Sequence, residues 1–237
     1  MTLISHVALV SKAKGISQTA LSRVASAIQK QVLRDFGPTW NVSASVDSFP
    51  HLEDVPLGAW PVVILDELDA DALGYHQDKN GQPYALVKHT SGWEQTVSHE
   101  VLEMLADPFG NRVVAARSVK PDQGRVRYLL EVCDPSEDAQ YGYTVNGLLL
   151  SDFYTPHFFD PVKNTATRYS FTGAITAPRT ILRGGYLSWM DPASEHMWQQ
   201  VWFGATKQFR EATSARSTPR KRVHCGRSPT ATRSEPN

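Results

Sequence analysis

Ser98-His99-Glu100-Val101-Leu102-Glu103-Met104-Leu105-Ala106-Asp107-Pro108 is the stretch on which the reading of this 237-residue chain turns. On a helix, residues four apart share one face, with roughly 5–6 Å between Cβ atoms. His99 and Glu103 therefore sit where they can grip one metal ion. Glu100, about 100° further round, is left for proton transfer. Pro108 closes the helix, and Asp107 stands there either as a further ligand or as a helix-end residue bonding backbone amides. Upstream, Ser91-Gly92-Trp93-Glu94 fits a capping box, with Ser91 accepting from a backbone amide and Glu94 reaching back. Trp93, Val97, Val101, Leu102, Met104 and Leu105 supply an apolar stripe that buries the helix against a sheet. The bland alternative leaves Glu100 and Glu103 facing solvent or pairing with arginines such as Arg112.

A second segment works with the first. Tyr128-Leu129-Leu130-Glu131-Val132-Cys133-Asp134-Pro135 is followed by Tyr143-Thr144-Val145-Asn146-Gly147. Glu131 and Asp134, three apart, do not both project from one side of a flat strand, but a turn at Asp134-Pro135 lets them converge. Cys133 points away from its neighbours in an extended segment and is set aside as a ligand.

Taken together, these motifs resemble zincin-like proteins, in which Ser-His-Glu-x-x-Glu-x-x-x-Asp-Pro is followed by Glu-x-x-Asp. Glutamate stands here where the His-Glu-x-x-His metallopeptidase helix has its second histidine. Plant phosphate-induced (exordium-like) proteins look similar over this region, including the Tyr-x-Val-Asn-Gly turn, as do uncharacterised bacterial and phage proteins. The resemblance spans roughly residues 62–159. It implies a zincin-like α+β fold: a mixed twisted sheet, an N-terminal helix, an active-site helix and an irregular, β-rich C-terminal part. It also implies His99, Glu103, Glu131 and Asp134 as metal ligands and Glu100 as the base.

The flanking sequence fits that order of elements. Leu3 to Val10 reads as a strand. Ser17 to Phe36 reads as an amphipathic helix on the spacing of Ala20, Leu21, Val24, Ala27, Ile28, Val32 and Leu33, stopped by Gly37-Pro38. Val42, Ala44 and Val46 alternate as a second strand, and Trp60 to Leu65 is a continuous apolar run suited to a central strand. Gly74 to Val87 predicts a hairpin turning at Asn80-Gly81. In the fold that the resemblance implies, the edge strand there holds an extended peptide by strand addition. His76, ahead of the turn, reads as structural. Arg112 to Ala116 and Arg125 to Leu130 predict short strands that return Glu131 and Asp134 beneath the helix. Tyr169 to Gly173 and Ile181 to Trp189 follow, with a turn or bulge at Gly184-Gly185. One domain is expected over residues 1–205, with lobes 1–107 and 108–205, then a disordered basic tail over 206–237.

Composition bounds the function. Twenty-four Lys and Arg balance 24 Asp and Glu, so the domain's overall charge gives no reason to expect a nucleic-acid partner. No apolar run reaches the roughly 18 residues of a membrane span, and the N-terminus has no signal-peptide pattern. Two cysteines make no disulfide framework, so a cytoplasmic, reducing setting is expected. His157, within the aromatic run from Asp152 to Pro161, reads either as a polariser of a substrate carbonyl or as an aromatic-cluster histidine; Tyr141, Tyr143 and Tyr154 compete for that role. One histidine with several carboxylates suits zinc and admits Mn²⁺ or Ca²⁺. The expected activity is metal-dependent hydrolysis of a peptide or protein substrate. The alternative is a binding or structural protein in which the metal only stabilises the fold; a third reading is a phage- or secretion-associated component whose basic tail docks a partner.

Overall fold

The computed structural model describes residues 4–69 and 72–212. The chain is α+β. In order come β1 (Ile4–Ser11), α1 (Gln18–Gln31), α2 (Gly37–Trp40), β2 (Ser43–Phe49), β3 (Trp60–Leu65), β4 (Gly74–Lys79), β5 (Gln82–Lys88) and α3 (Trp93–Ala106). They are followed by β6 (Val113–Arg117), β7 (Arg125–Leu129), β8 (Tyr143–Val145), β9 (Leu148–Leu150), β10 (Tyr186–Met190), β11 (Met197–Val201) and β12 (Gln208–Ala212). The first sheet has the order β2-β1-β3-β5-β4, parallel except for β4, which runs antiparallel to β5 at the edge. The central position predicted for Trp60–Leu65 is observed, and its Val62 and Ile64 are fully buried. A second, antiparallel sheet runs β12-β11-β10-β7-β6, and β8 and β9 form a separate hairpin. The C-terminal half is thus more regular than its sequence suggests.

One apolar core joins the two halves, running from Val7 and Leu9 through Val101 and Leu102 to Tyr128, Phe153 and Trp189. Helix α3 packs on β5, β4 and β9, and α1 on β2. A buried polar chain ties these layers together. Ser98 Oγ donates to Gln31 Oε1 at 2.8 Å and accepts from Ser151 N at 3.2 Å, while Gln31 Nε2 donates to Ser151 O at 3.0 Å. Gln31, Ser98 and Ser151 thus satisfy one another, which fixes the roll of α3 relative to α1.

Several local expectations are corrected. Gly37-Pro38 does not stop the first helix. The chain passes from α1 through a π-helical turn, Val32–Phe36, into α2. Pro38 sits at the start of that new turn, where its missing N–H is not needed, and the helix ends at Asn41 in the left-handed region (φ 53°). The capping box at Ser91 does not form: Gly92, at φ 81°, is the N-cap residue of α3 and no side chain caps it. Residues 169–173 contribute only a bridge between Ser170 and Tyr154. The expected tail boundary at residue 206 is corrected: Gln208–Ala212 pairs along the whole of β11, with Phe209 against the Trp189 ring. Residues 213–237 lie outside the described residues. Among the described residues no helix is long and apolar enough to cross a membrane.

Candidate metal centre

Helix α3 carries the first part of the site. His99, Glu100 and Glu103 are all buried, at 6%, 1% and 0% exposure, which rules out the solvent-facing reading of the glutamates. Nor does Arg112 reach them; its guanidinium donates to Ala106 O. The i,i+4 spacing sets His99 Nε2 3.2 Å from Glu103 Oε1.

The second part arrives from β7. After Leu129 the chain leaves the sheet and turns into a 3-10 segment, Asp134–Ser136, with Pro135 in its first turn. This turn brings Asp134 Oδ1 to 3.3 Å from His99 Nε2. Gly185 makes the approach possible: a Cβ there would stand 2.5 Å from Pro135 O and 2.7 Å from Asp134 O. Glu103 Oε1 also accepts from Cys133 N at 3.1 Å, which pins the segment to the helix.

A tetrahedral ion with bonds of about 2.0–2.1 Å requires neighbouring ligand atoms roughly 3.3–3.4 Å apart. The two separations measured from His99 Nε2 match that edge. Glu103 and Asp134 are therefore each spaced from His99 as two ligands of one zinc-sized cation are, and Glu137 joins His99 and Asp134 in one group of donor atoms within 4.8 Å. Cys133 Sγ also falls in a group with His99 and Glu103. Burial pushes its thiol well up, however, so it is a poor thiolate without a cation beside it. Burial, with Glu131 and Glu137 nearby, likewise holds the Asp134 carboxyl well above the usual carboxylate range. Tyr154 and Tyr186 have their phenols raised by burial and by these same acids, so both remain donors at neutral pH.

Three sequence assignments change. Asp107 takes its helix-end role: its two carboxylate oxygens accept from Asn111 N and Arg112 N, both at 3.0 Å, so it closes the helix rather than binding metal. His157 lies exposed on a short 3-10 turn, with Nδ1 3.0 Å from Asp160 Oδ2, and is not a member of the buried cluster. His76, read as structural, is the residue the sequence hid. Strand β4 buries Gly74 and His76 on one face, and His76 Nδ1 comes within 3.7 Å of both Glu100 Oε2 and Glu103 Oε2. Its Nε2 lies 3.9 Å from Glu131 Oε2. The strand alternation of Gly74 and His76 is the one signal that could have revealed it.

A cavity of about 840 Å³ opens onto His99 and Glu100, walled by the start of α3, residues 137–140, residues 147–149 and Arg183. Gly74 forms part of its rim beside Glu100. Comparison with known proteins gives no match: no family model, no curated protein and no solved structure aligns significantly with this chain.

Proposed function

We propose that the protein is a metal-dependent peptidase of zincin-like build, with His99, Glu103 and Asp134 holding a zinc ion and Glu100 as its base. The observation that carries this reading is that His99 Nε2, on the cavity wall, has Glu103 Oε1 at 3.2 Å and Asp134 Oδ1 at 3.3 Å, carboxylates from two separate segments. The sheet order supports it as well. Strand β4 is antiparallel and terminal, so its outer edge is available to an extended chain, and its Gly74 borders the cavity.

When bound, the cation supplies Lewis acidity toward a carbonyl oxygen and makes an adjacent water more acidic. Glu100 accepts the water's proton and returns it to the departing amine. Tyr154 and Tyr186 are buried phenols beside Asp134, with Tyr186 hydrogen-bonded to it, and they steady the acid that holds the ion. The 3-10 turn at Asp134-Pro135 and the contact from Gly185 keep the acid against His99, so the donor set is organised before substrate arrives.

Elemental analysis of the purified full chain tests the ligand set. His99→Ala and Glu103→Ala are each expected to lose the metal, and unchanged content in both ends the assignment. Glu100→Gln is then expected to keep the ion held by His99, Glu103 and Asp134 and to lose about 10²–10⁴-fold in cleavage of a peptide library. The depth of the cluster, with Glu100 only 1% exposed, favours a second reading in which the cation clamps the fold without turnover. Metal binding by a wild type that cleaves no member of the library would select it.

A further inference from the structure

We propose that His76 builds a second cation position beside the first, with Glu103 as the carboxylate shared between them. The inference rests on reading His99, Glu103 and Asp134 as a metal site, and it adds a donor that the helix motif does not contain.

The His76 side chain is 3% exposed, and neither ring nitrogen has a hydrogen-bond partner among the described residues. Burying an imidazole with both nitrogens unsatisfied costs free energy, yet this ring is aimed at carboxylates on two sides. Nδ1 faces Glu100 Oε2 and Glu103 Oε2 at 3.7 Å each, and Nε2 faces Glu131 Oε2 at 3.9 Å. These separations are too long for charge-assisted hydrogen bonds, which run at about 2.7–2.9 Å. Two donors on one cation stand roughly 3.0–3.6 Å apart for bonds of about 2.1–2.2 Å, so a shift of a tenth or two closes the gap. His76, Glu100 and Glu103 already place one donor atom each within 4.8 Å of the others.

Glu103 is oriented as a bridge. Its Oε1 faces His99 at 3.2 Å, and its Oε2 faces His76 at 3.7 Å. Ligation through His76 Nδ1 leaves the Nε2 proton directed at Glu131, the usual way a carboxylate orients a metal-bound histidine. Glu100 ligates through Oε2 and keeps Oε1, on the Gly74 side, for proton transfer. Composition points the same way: five acidic side chains, Glu100, Glu103, Glu131, Asp134 and Glu137, are buried in this region, more than one divalent cation offsets once they ionise. The ligand class is a first-row divalent cation, Zn²⁺ or Mn²⁺.

The full chain, stripped with a chelator, is titrated with Zn²⁺ by calorimetry and with Mn²⁺ by electron paramagnetic resonance. Wild type is expected to take up two equivalents and, when loaded with Mn²⁺, to show a spin-coupled pair. His76→Gln is expected to take up one equivalent and show the six-line spectrum of an isolated ion. A wild type that saturates at one equivalent, or that shows only isolated Mn²⁺ at full load, overturns the proposal without any variant being needed. So does a folded His76→Gln that still binds two. One equivalent, lost in His99→Ala but unaffected in His76→Gln, removes the second position and leaves the proposed peptidase site intact. No uptake at all removes both.

Discussion

At Gly74 one methyl group decides whether Glu100 keeps its place. A Cβ there would stand 2.8 Å from Glu100 Oε1, so that carboxylate must move, and 3.0 Å from Thr96 Cγ2, a tight contact. Gly74→Ala is predicted to destabilise by about 1–3 kcal/mol and to push the Glu100 carboxylate aside. Metal content set by His99 and Asp134 should survive while cleavage falls. A melting curve, an elemental analysis and a peptide assay on the same preparation check this, and undiminished cleavage would mean that Glu100 has no part in turnover. The same position explains what the sequence shows and hides. His99 and Glu103 are legible because helical spacing alone brings them together. His76 is not, because a histidine on a strand acquires meaning only through the β4–β5 register, His76 against Ala85, and through the docking of α3 on β4. Asp107 carried two readings in the sequence, and only the amides of Asn111 and Arg112 select between them.

Strand β7 delivers the second half of the site, and Tyr128 anchors the hairpin it forms with β6. The Tyr128 hydroxyl accepts from Val119 N at 2.8 Å and donates to Arg117 O at 3.1 Å, closing the connection between the two strands. Burial pushes this phenol up to about 12, above its unfolded value near 10. An acid whose proton is held more tightly in the folded state contributes stability fully below pH ~10 and loses it as pH rises toward ~12. Wild type should therefore lose stability over that alkaline window, and Tyr128→Phe should lose less there while starting about 1–2 kcal/mol lower at neutral pH. Denaturant melts of both proteins at pH 7, 10 and 11 measure it; parallel alkaline limbs would assign the loss to other groups. Periodicity made α1, β3 and the β4–β5 hairpin readable. It failed at Gly37-Pro38, where a π-helical turn resets the ladder so that the proline begins a new turn instead of breaking an old one. It failed again at Gln208–Ala212, whose polar composition hides a strand held by pairing with β11.

Across the whole molecule, the cluster joins elements far apart in sequence. His76 comes from β4 at the edge of the first sheet, His99 and Glu103 come from α3, and Glu131 and Asp134 come from the segment that β7 feeds out of the second sheet. The cation proposed at their meeting point would bind the folded chain and not the unfolded one, and so would stabilise by mass action. At a free concentration a hundred times its Kd the gain is about 2.7 kcal/mol. For a chain of this length that corresponds to a melting shift of roughly 5–10 °C, which chelation should remove and added Zn²⁺ restore. The loss should be uneven. Parallel strands β1 and β3 are held by the apolar core and should keep their protection from hydrogen exchange, whereas the amides from Val132 to Glu137 should exchange faster. Cys133 is the sharpest reporter, because its N–H donates to Glu103, the carboxylate proposed as a ligand. Equal protection of residues 132–137 with and without chelator, together with an unchanged melting temperature, would show that no cation ties the two sheets together.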